Sequence, residues 1–113
     1  MIEKTVLDYL NNALSVPVTM EVPKDPPAKF VVLQKTGSSR IDRLNTATIA
    51  AQSYAGSLAD AATLNEEVKA EFDSMIELDA ISSCKLNSDY NFTDTSMEKY
   101  RYQCIYVICY LEV

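Results

Sequence analysis

The 113-residue chain contains no histidine. Histidine is the commonest general base of enzymes and the commonest transition-metal ligand, so serine and cysteine nucleophiles here lack their usual partner. Glycine is also scarce. The segment Gly37-Ser38-Ser39 lacks both the second glycine and the Lys-Ser/Thr pair of a phosphate-binding loop. We therefore predict that the protein is not an enzyme and needs no cofactor.

Long apolar runs are missing as well. The N-terminus lacks the uninterrupted apolar stretch of a signal peptide, and no run of apolar residues is long enough to span a bilayer. We expect a soluble protein that is made in the cytoplasm and does not associate with membranes. Its cysteines, Cys84, Cys104 and Cys109, are odd in number, so free thiols are expected.

Positive charge is sparse. Sixteen acids against ten bases give a net charge of −6, and the bases are scattered rather than clustered. Binding to nucleic acid requires grouped Lys and Arg side chains that neutralise phosphates. Direct and sequence-specific binding to nucleic acid is therefore not expected. The length allows one hydrophobic core, so residues 1–113 are predicted to form a single domain.

Hydrophobic periodicity predicts the elements of the first half. Helical spacing of apolar residues indicates a short helix over 2–14. Alternation of Val18, Met20 and Val22 predicts a strand, and the proline-rich run 23–27 predicts a stiff connection. The run Phe30-Val31-Val32-Leu33 predicts a buried strand. The strand pattern weakens toward Thr36, and Gly37-Ser38-Ser39-Arg40 is predicted to break the strand.

The second half begins with an alternating strand from about Arg43 to Tyr54, which predicts a hairpin with the preceding strand. A long helix follows from Ser57, where Ser57-x-x-Asp60 resembles a capping box. Weaker alternation over 84–92 and strict alternation over 97–112 predict two more strands. The expected fold is an α+β domain in the order α-β-β-β-α-β-β, with a mostly antiparallel sheet of about five strands and two helices on one face.

The long helix carries an acidic surface. Carboxylate pairs such as Glu67 with Glu71 lie one turn apart on a solvated face, where no burial would shift a pKa toward catalysis. The tyrosines of the last strand could stack on bases, line a pocket or form a protein interface, but packing under the helices is the favoured interpretation. The acidic residues assigned to the long helix are Asp60, Glu66, Glu67, Glu71, Asp73, Glu77 and Asp79.

One segment matches the spacing of a calcium loop in part. Asn87, Asp89, Asn91, Thr93 and Glu98 fall at positions one, three, five, seven and twelve. The first position lacks the usual Asp, and the sixth lacks the glycine that makes the turn. We predict a polar strand end that binds no metal.

The central segment resembles a known family. The motifs are Pro27-x-x-Phe30-Val31-Val32, Gly37-x-Ser39, Ala47-Thr48-Ile49-Ala50-x-Gln52-Ser53-Tyr54-Ala55 and Leu58-x-x-Ala61-x-x-Leu64-x-x-x-Val68. This pattern of apolar spacing and turns is similar to that of the tail-terminator, or tail-completion, proteins of long-tailed bacteriophages and prophages. The similarity covers nearly the whole chain.

The resemblance implies a structural protein of the virion. Such proteins form a ring, typically six-fold, that caps the tail tube, stops its polymerisation and joins it to the head connector. The tail-tube protein and the head connector would be the partners. Alternatives are another head-tail connector or minor capsid component, and a small ligand-binding or regulatory domain.

A ring of identical subunits needs two different surfaces on each copy. We predict that a hairpin loop with basic side chains, mobile in the free subunit, meets the acidic helix of the next copy. The predicted interface residues are Gly37, Ser38, Ser39, Arg40, Asp42, Arg43, Glu66, Glu67 and Glu71.

Overall fold

The computed structural model describes residues 1–94, 96 and 99–111. It has two helices and five strands in the predicted order, which confirms the α+β class. A short 3-10 turn, Met75–Glu77, follows the second helix directly. The elements are α1 (Ile2–Ala13), β1 (Val18–Thr19), β2 (Phe30–Ile41), β3 (Leu44–Ala55), α2 (Leu58–Ser74), β4 (Ile81–Asn91) and β5 (Tyr100–Leu111).

The strands form one sheet in the order β1-β2-β3-β5-β4. β1 pairs with β2 in parallel over two residues, and all the longer pairings are antiparallel. The last strand in sequence therefore lies inside the sheet, between β3 and β4. Because β5 is antiparallel to both, β3 and β4 run in the same direction, and α2 is the crossover between them.

Both helices cover the same face of the sheet. Strand positions on this face alternate with positions on the other face, as the pleat requires. Helix α2 contributes side chains at steps of three and four, the spacing that predicted it. The core of buried side chains consists of Ile2, Val6, Leu10, Val18, Val31, Leu33, Ala47, Ile49, Ala51, Leu64, Val68, Phe72, Met75, Ile81, Cys104, Tyr106 and Ile108.

The opposite face carries no helix, and we call it the open face. Phe30 stacks on Tyr54 there, with ring centroids 4.5 Å apart, and Val32 packs beside them. Among the described strand residues of the open face, the charged side chains are Lys85 and Arg101. None of the described strand residues on the open face is acidic.

The predicted strand at Val18, Met20 and Val22 is wrong beyond Thr19. The side chain of Asn11 accepts from Val18 N and donates to Val18 O, both at 3.0 Å. Thr19 then donates its hydroxyl to Glu21 O, which turns the chain away from the sheet. Met20 and Val22 are exposed as a result.

The predicted break at Gly37-Ser38-Ser39-Arg40 is also wrong. β2 continues to Ile41 and pairs with β3 along its whole length. A bulge between Lys35 and Gly37 absorbs one extra residue, so the pairing resumes in a new register. The hairpin itself is confirmed, and its turn is only Asp42-Arg43, with Asp42 in the left-handed region at φ 54°.

The start of α2 is as predicted. Ser57 Oγ accepts from Asp60 N at 3.2 Å and caps the first turn. The helix ends at Ser74, so Glu77 lies in the 3-10 turn and Asp79 lies beyond it. Two of the seven acids assigned to the helix are therefore outside it.

Candidate functional site: two flanks of the sheet

The β2 side of the molecule carries exposed positive charge, and we call Lys35, Arg40 and Arg43 the basic flank. Lys35 makes a 3.5 Å ion pair with Glu3 of α1. Within the described part of the chain, Arg40 and Arg43 have no ion pair. Both arginines are exposed, so they are available to an external carboxylate.

The hairpin tip adds an apolar surface to this flank. Ile41, Leu44 and Leu111 occupy adjacent positions on three neighbouring strands, because Leu44 pairs with both of the others. Their exposed fractions are 74%, 41% and 52%. Three neighbouring exposed aliphatic side chains next to two arginines are typical of a contact surface rather than of a solvated turn.

The opposite side of the sheet carries exposed negative charge. We call Glu66, Asp73, Asp79 and Asp89 the acidic flank. Lys69 lies among them, with Nζ 2.9 Å from Glu66 Oε1 and 2.9 Å from Asp89 Oδ2. The hydrogen bond to Asp89, followed by the one to Glu66, raises the pKa of Lys69 above its usual value.

Asp73 is held in place by a buried tyrosine. The hydroxyl of Tyr106 donates toward Asp73 Oδ1 at 2.9 Å and also lies 3.1 Å from Lys69 O. The Tyr106 ring stacks on Phe72 with a centroid distance of 4.4 Å. Burial, reinforced by Asp73, raises the pKa of Tyr106 above its usual value. This tyrosine packs under α2, as the favoured interpretation had it.

The structure separates the three glutamates that were predicted to act together. Glu66 lies on the β4 side, because Lys69 pairs both with Glu66 and with Asp89 of β4. Glu67 lines a cleft of about 100 Å³ with Ser15 and Lys29, on the side of α1. Glu71 also faces α1, where its charge acts on Tyr9. Only Glu66 belongs to the acidic flank.

Tyr9 connects α1 to the 3-10 turn. Its hydroxyl donates to Glu77 Oε1 at 2.9 Å. Burial, and then the hydrogen bond to Glu77, raises the pKa of Tyr9 to about 12. Glu77 is thus engaged within the subunit, and α1 is fixed against the end of α2.

A chain of polar side chains crosses the open face and was not anticipated from the sequence. Arg101 donates to Tyr54 Oη at 2.8 Å, and Tyr54 donates to Gln52 Oε1 at 3.3 Å. Gln52 donates to Gln103 Oε1 at 2.9 Å, and Gln103 donates to the hydroxyl of Tyr90. The members come from three strands, so only the sheet order reveals the network.

The three cysteine thiols lie in different environments. Burial raises the pKa of Cys84 and of Cys104 to about 12. Cys109 lies on the open face, and hydrogen bonds from Ser83 and Thr46 lower its pKa. All three cysteines are free, as predicted.

The polar segment around Asp89 does not assemble into a metal site within the described residues. Asp89 pairs with Lys69, and Asn91 Oδ1 accepts from Thr93 N. Glu98, the last position of the calcium pattern, lies outside the described residues. In the described part of the chain, no three His, Cys, Asp or Glu side chains come together in a group that could hold a metal ion. In that part of the chain, no helix is long and apolar enough to cross a membrane.

One further cleft, of about 160 Å³, lies where the proline-rich connection meets the sheet. This cleft is relevant to the alternative hypothesis that the protein is a small ligand-binding domain. Of the tyrosines of the last strand, Tyr100 alone lines this cleft. The lining residues are Val22, Pro26, Pro27, Ala28, Phe30, Tyr54, Ala55, Lys99 and Tyr100.

Comparison with protein-family models gives no match, and no curated protein is significantly similar to the chain in sequence.

Proposed function

We propose that the chain is a subunit of a tail-terminator ring of a long-tailed bacteriophage or prophage. The ring caps the tail tube, ends its polymerisation and joins the tail to the head connector. The subunit is made in the bacterial cytoplasm and becomes part of the virion. The observation that carries this proposal is the placement of a basic and an acidic flank at opposite edges of one sheet.

Opposite edges are what a head-to-tail contact requires. In such a contact, the basic flank of one copy meets the acidic flank of the next, and every copy uses both surfaces. A two-fold contact between acidic flanks would instead bring like charges together. The charge distribution therefore favours cyclic assembly over a symmetric dimer.

The start of β4, two residues after Asp79 of the acidic flank, lies at the same height along the strands as Arg40. Arg40 pairs with Asn45, which pairs with Tyr110. Ile81, the first residue of β4, pairs with the same Tyr110 from the other side. A head-to-tail contact between these two edges closes a ring when the rotation between successive copies closes, and extends as a filament when it does not.

Each contact is expected to be weak in isolation. Exposed ion pairs contribute about 1 kcal/mol or less and are screened by salt. The free subunit is thus a monomer or a weak oligomer, and the tail tube supplies the further surface that fixes the ring. This behaviour suits a terminator, because assembly is confined to the end of a finished tube.

The test uses a phage that lacks the gene and is complemented in trans. Arg40→Ala combined with Arg43→Ala should leave the fold intact but reduce the number of tails joined to heads. Lys4→Ala combined with Lys24→Ala, which also removes two exposed positive charges, is the matched control and should complement fully. Full complementation by the arginine variant would contradict the proposed contact.

A further inference from the structure

The two edges of the sheet carry backbone groups that the fold does not use. β1 pairs with β2 only at Val31 and Val32, and this parallel ladder also takes up the N–H of Leu33, so the edge of β2 from Gln34 to Ile41 has no strand beside it in the described structure. The outer edge of β4 is likewise unpaired within the described residues. Unpaired strand edges are templates for another strand, and proteins usually shorten, cover or interrupt them.

The direction of these backbone groups follows from two hydrogen bonds. Val31 donates its N–H to Pro17 O at 2.9 Å, away from β3. Backbone groups alternate along an antiparallel strand, so those of Leu33 and Lys35 point to the same side, and Lys35 lies beyond β1 on the free edge. After the bulge, the register with β3 shows that the backbone N–H and C=O groups of Ser38 and Arg40 point to the free edge of β2.

The other edge is determined in the same way. Phe92 donates its N–H to Arg101 O at 2.9 Å, toward β5. Because backbone groups alternate along β4, those of Asn91 and Asp89 point to the free edge. On the other side of the bulge, those of Cys84 do as well. On both edges the outward-pointing residues have their side chains on the helix-covered face.

We infer that a second copy of this chain pairs its β4 edge with the β2 edge, so that neighbouring sheets continue into one another. The contact joins Gly37–Ile41 of one copy to Ser83–Leu86 of the next. This inference rests on the proposed ring and specifies the backbone groups that form the contact between neighbouring subunits. Main-chain hydrogen bonds supply the contact, and the flanking charges select the partner.

Three features of the structure select a second copy as the occupant. β2 and β4 run in opposite directions within one sheet, so a head-to-tail neighbour presents β4 antiparallel to β2. The segments lie at equal height, because Ser38 and Cys84 both align with Ile108 through the register. Finally, Arg40 has its side chain on the helix-covered face, on which Asp73 of the acidic flank also lies, beside Tyr106.

The decisive variant is Ser38→Pro. Proline lacks the backbone N–H that Ser38 points to the free edge. The hydrogen bonds between β2 and β3 involve the backbone groups of Gly37 and Ser39, so the substitution leaves these bonds in place. The variant should fold, and its self-association should be at least about fivefold weaker, from the loss of one main-chain hydrogen bond. Ser38→Thr keeps the N–H and is the matched control.

The assay is sedimentation velocity of the purified full chain up to about 1 mM, the weak end of measurable association. We expect head-to-tail oligomers of the native chain and of Ser38→Thr, and association at least about fivefold weaker for Ser38→Pro. A native chain that stays monomeric throughout, or equal association of all three, would overturn the inference.

Amide exchange followed by NMR provides a second readout on the native chain, so that the test does not depend on how Ser38→Pro folds. The amides of Ser38 and Arg40 should exchange at least about tenfold more slowly at high than at low concentration, while the amide of Ser39, already bonded, should not change. Uniform protection, or protection of Ser39 alone, would count against edge pairing.

The outcomes separate this inference from the proposed function. If Ser38→Pro weakens association as expected but tails are normal without the gene, the edge contact stands and the terminator proposal fails. If loss of the gene alters tail length while Ser38→Pro associates like the native chain, the terminator proposal stands and the edge contact fails.

Discussion

The polar network on the open face allows a quantitative test of how the sheet is held in register. Gln52 and Gln103 are only 8% and 7% exposed, and each is the hydrogen-bond partner of the other. Gln103→Leu leaves Gln52 Nε2 buried without an acceptor, which costs about 1–3 kcal/mol. Gln52→Leu leaves Gln103 Oε1 without a donor, at a similar cost.

The double variant should be less destabilised than the sum of the two single variants. Replacing both partners by apolar side chains removes both unpaired groups, and the remaining members keep partners: Tyr54 retains Arg101, and Tyr90 reaches solvent. The coupling between the two positions should therefore be about 1–3 kcal/mol. Additive losses would refute the reasoning.

Urea unfolding measures this directly. With a slope of about 1–3 kcal/mol per M for a domain of this size, a loss of about 2 kcal/mol moves the urea midpoint by about 0.7–2 M. Gln34 lies on the same face but is exposed, so Gln34→Leu is the control and should change stability by about 0.5 kcal/mol or less.

Three further predictions concern the cap, the thiols and metal binding. Ser57→Ala should cost about 1 kcal/mol of unfolding free energy, measured by urea, because Asp60 N loses its acceptor; an unchanged midpoint would contradict this. Thiolate-specific labelling should proceed at a lower pH for Cys109, whose pKa is lowered, than for Cys104, whose pKa is about 12; the reverse order would be contrary evidence. Calorimetry should show no calcium binding tighter than about millimolar, and a tighter site would overturn the interpretation of segment 87–98.

Local patterns in the sequence were sufficient to predict much of the fold. The alternation of β3 and β5 assigned both faces correctly, since pleat and side-chain pattern share a period of two. The steps of three and four in α2 and its serine cap were equally local signals. What could not be predicted was non-local, above all the insertion of β5 between β3 and β4.

The candidate surfaces show the same limit. Gly37 and its neighbours have the composition of a break, and only pairing with β3 across a bulge makes them a strand. Glu66, Glu67 and Glu71 look alike in sequence, but the docking of α1 on one side of α2 separates them. Asp89 joins the acidic flank through Lys69, a contact between residues 20 positions apart.

The central claim is that this chain ends the tail tube, and electron microscopy of particles made with and without it tests that claim most directly. Without the protein, we expect tail tubes that vary in length, extend beyond the normal limit and carry no heads; with it, tubes of one length joined to heads. Tubes of normal and uniform length in its absence would contradict the account.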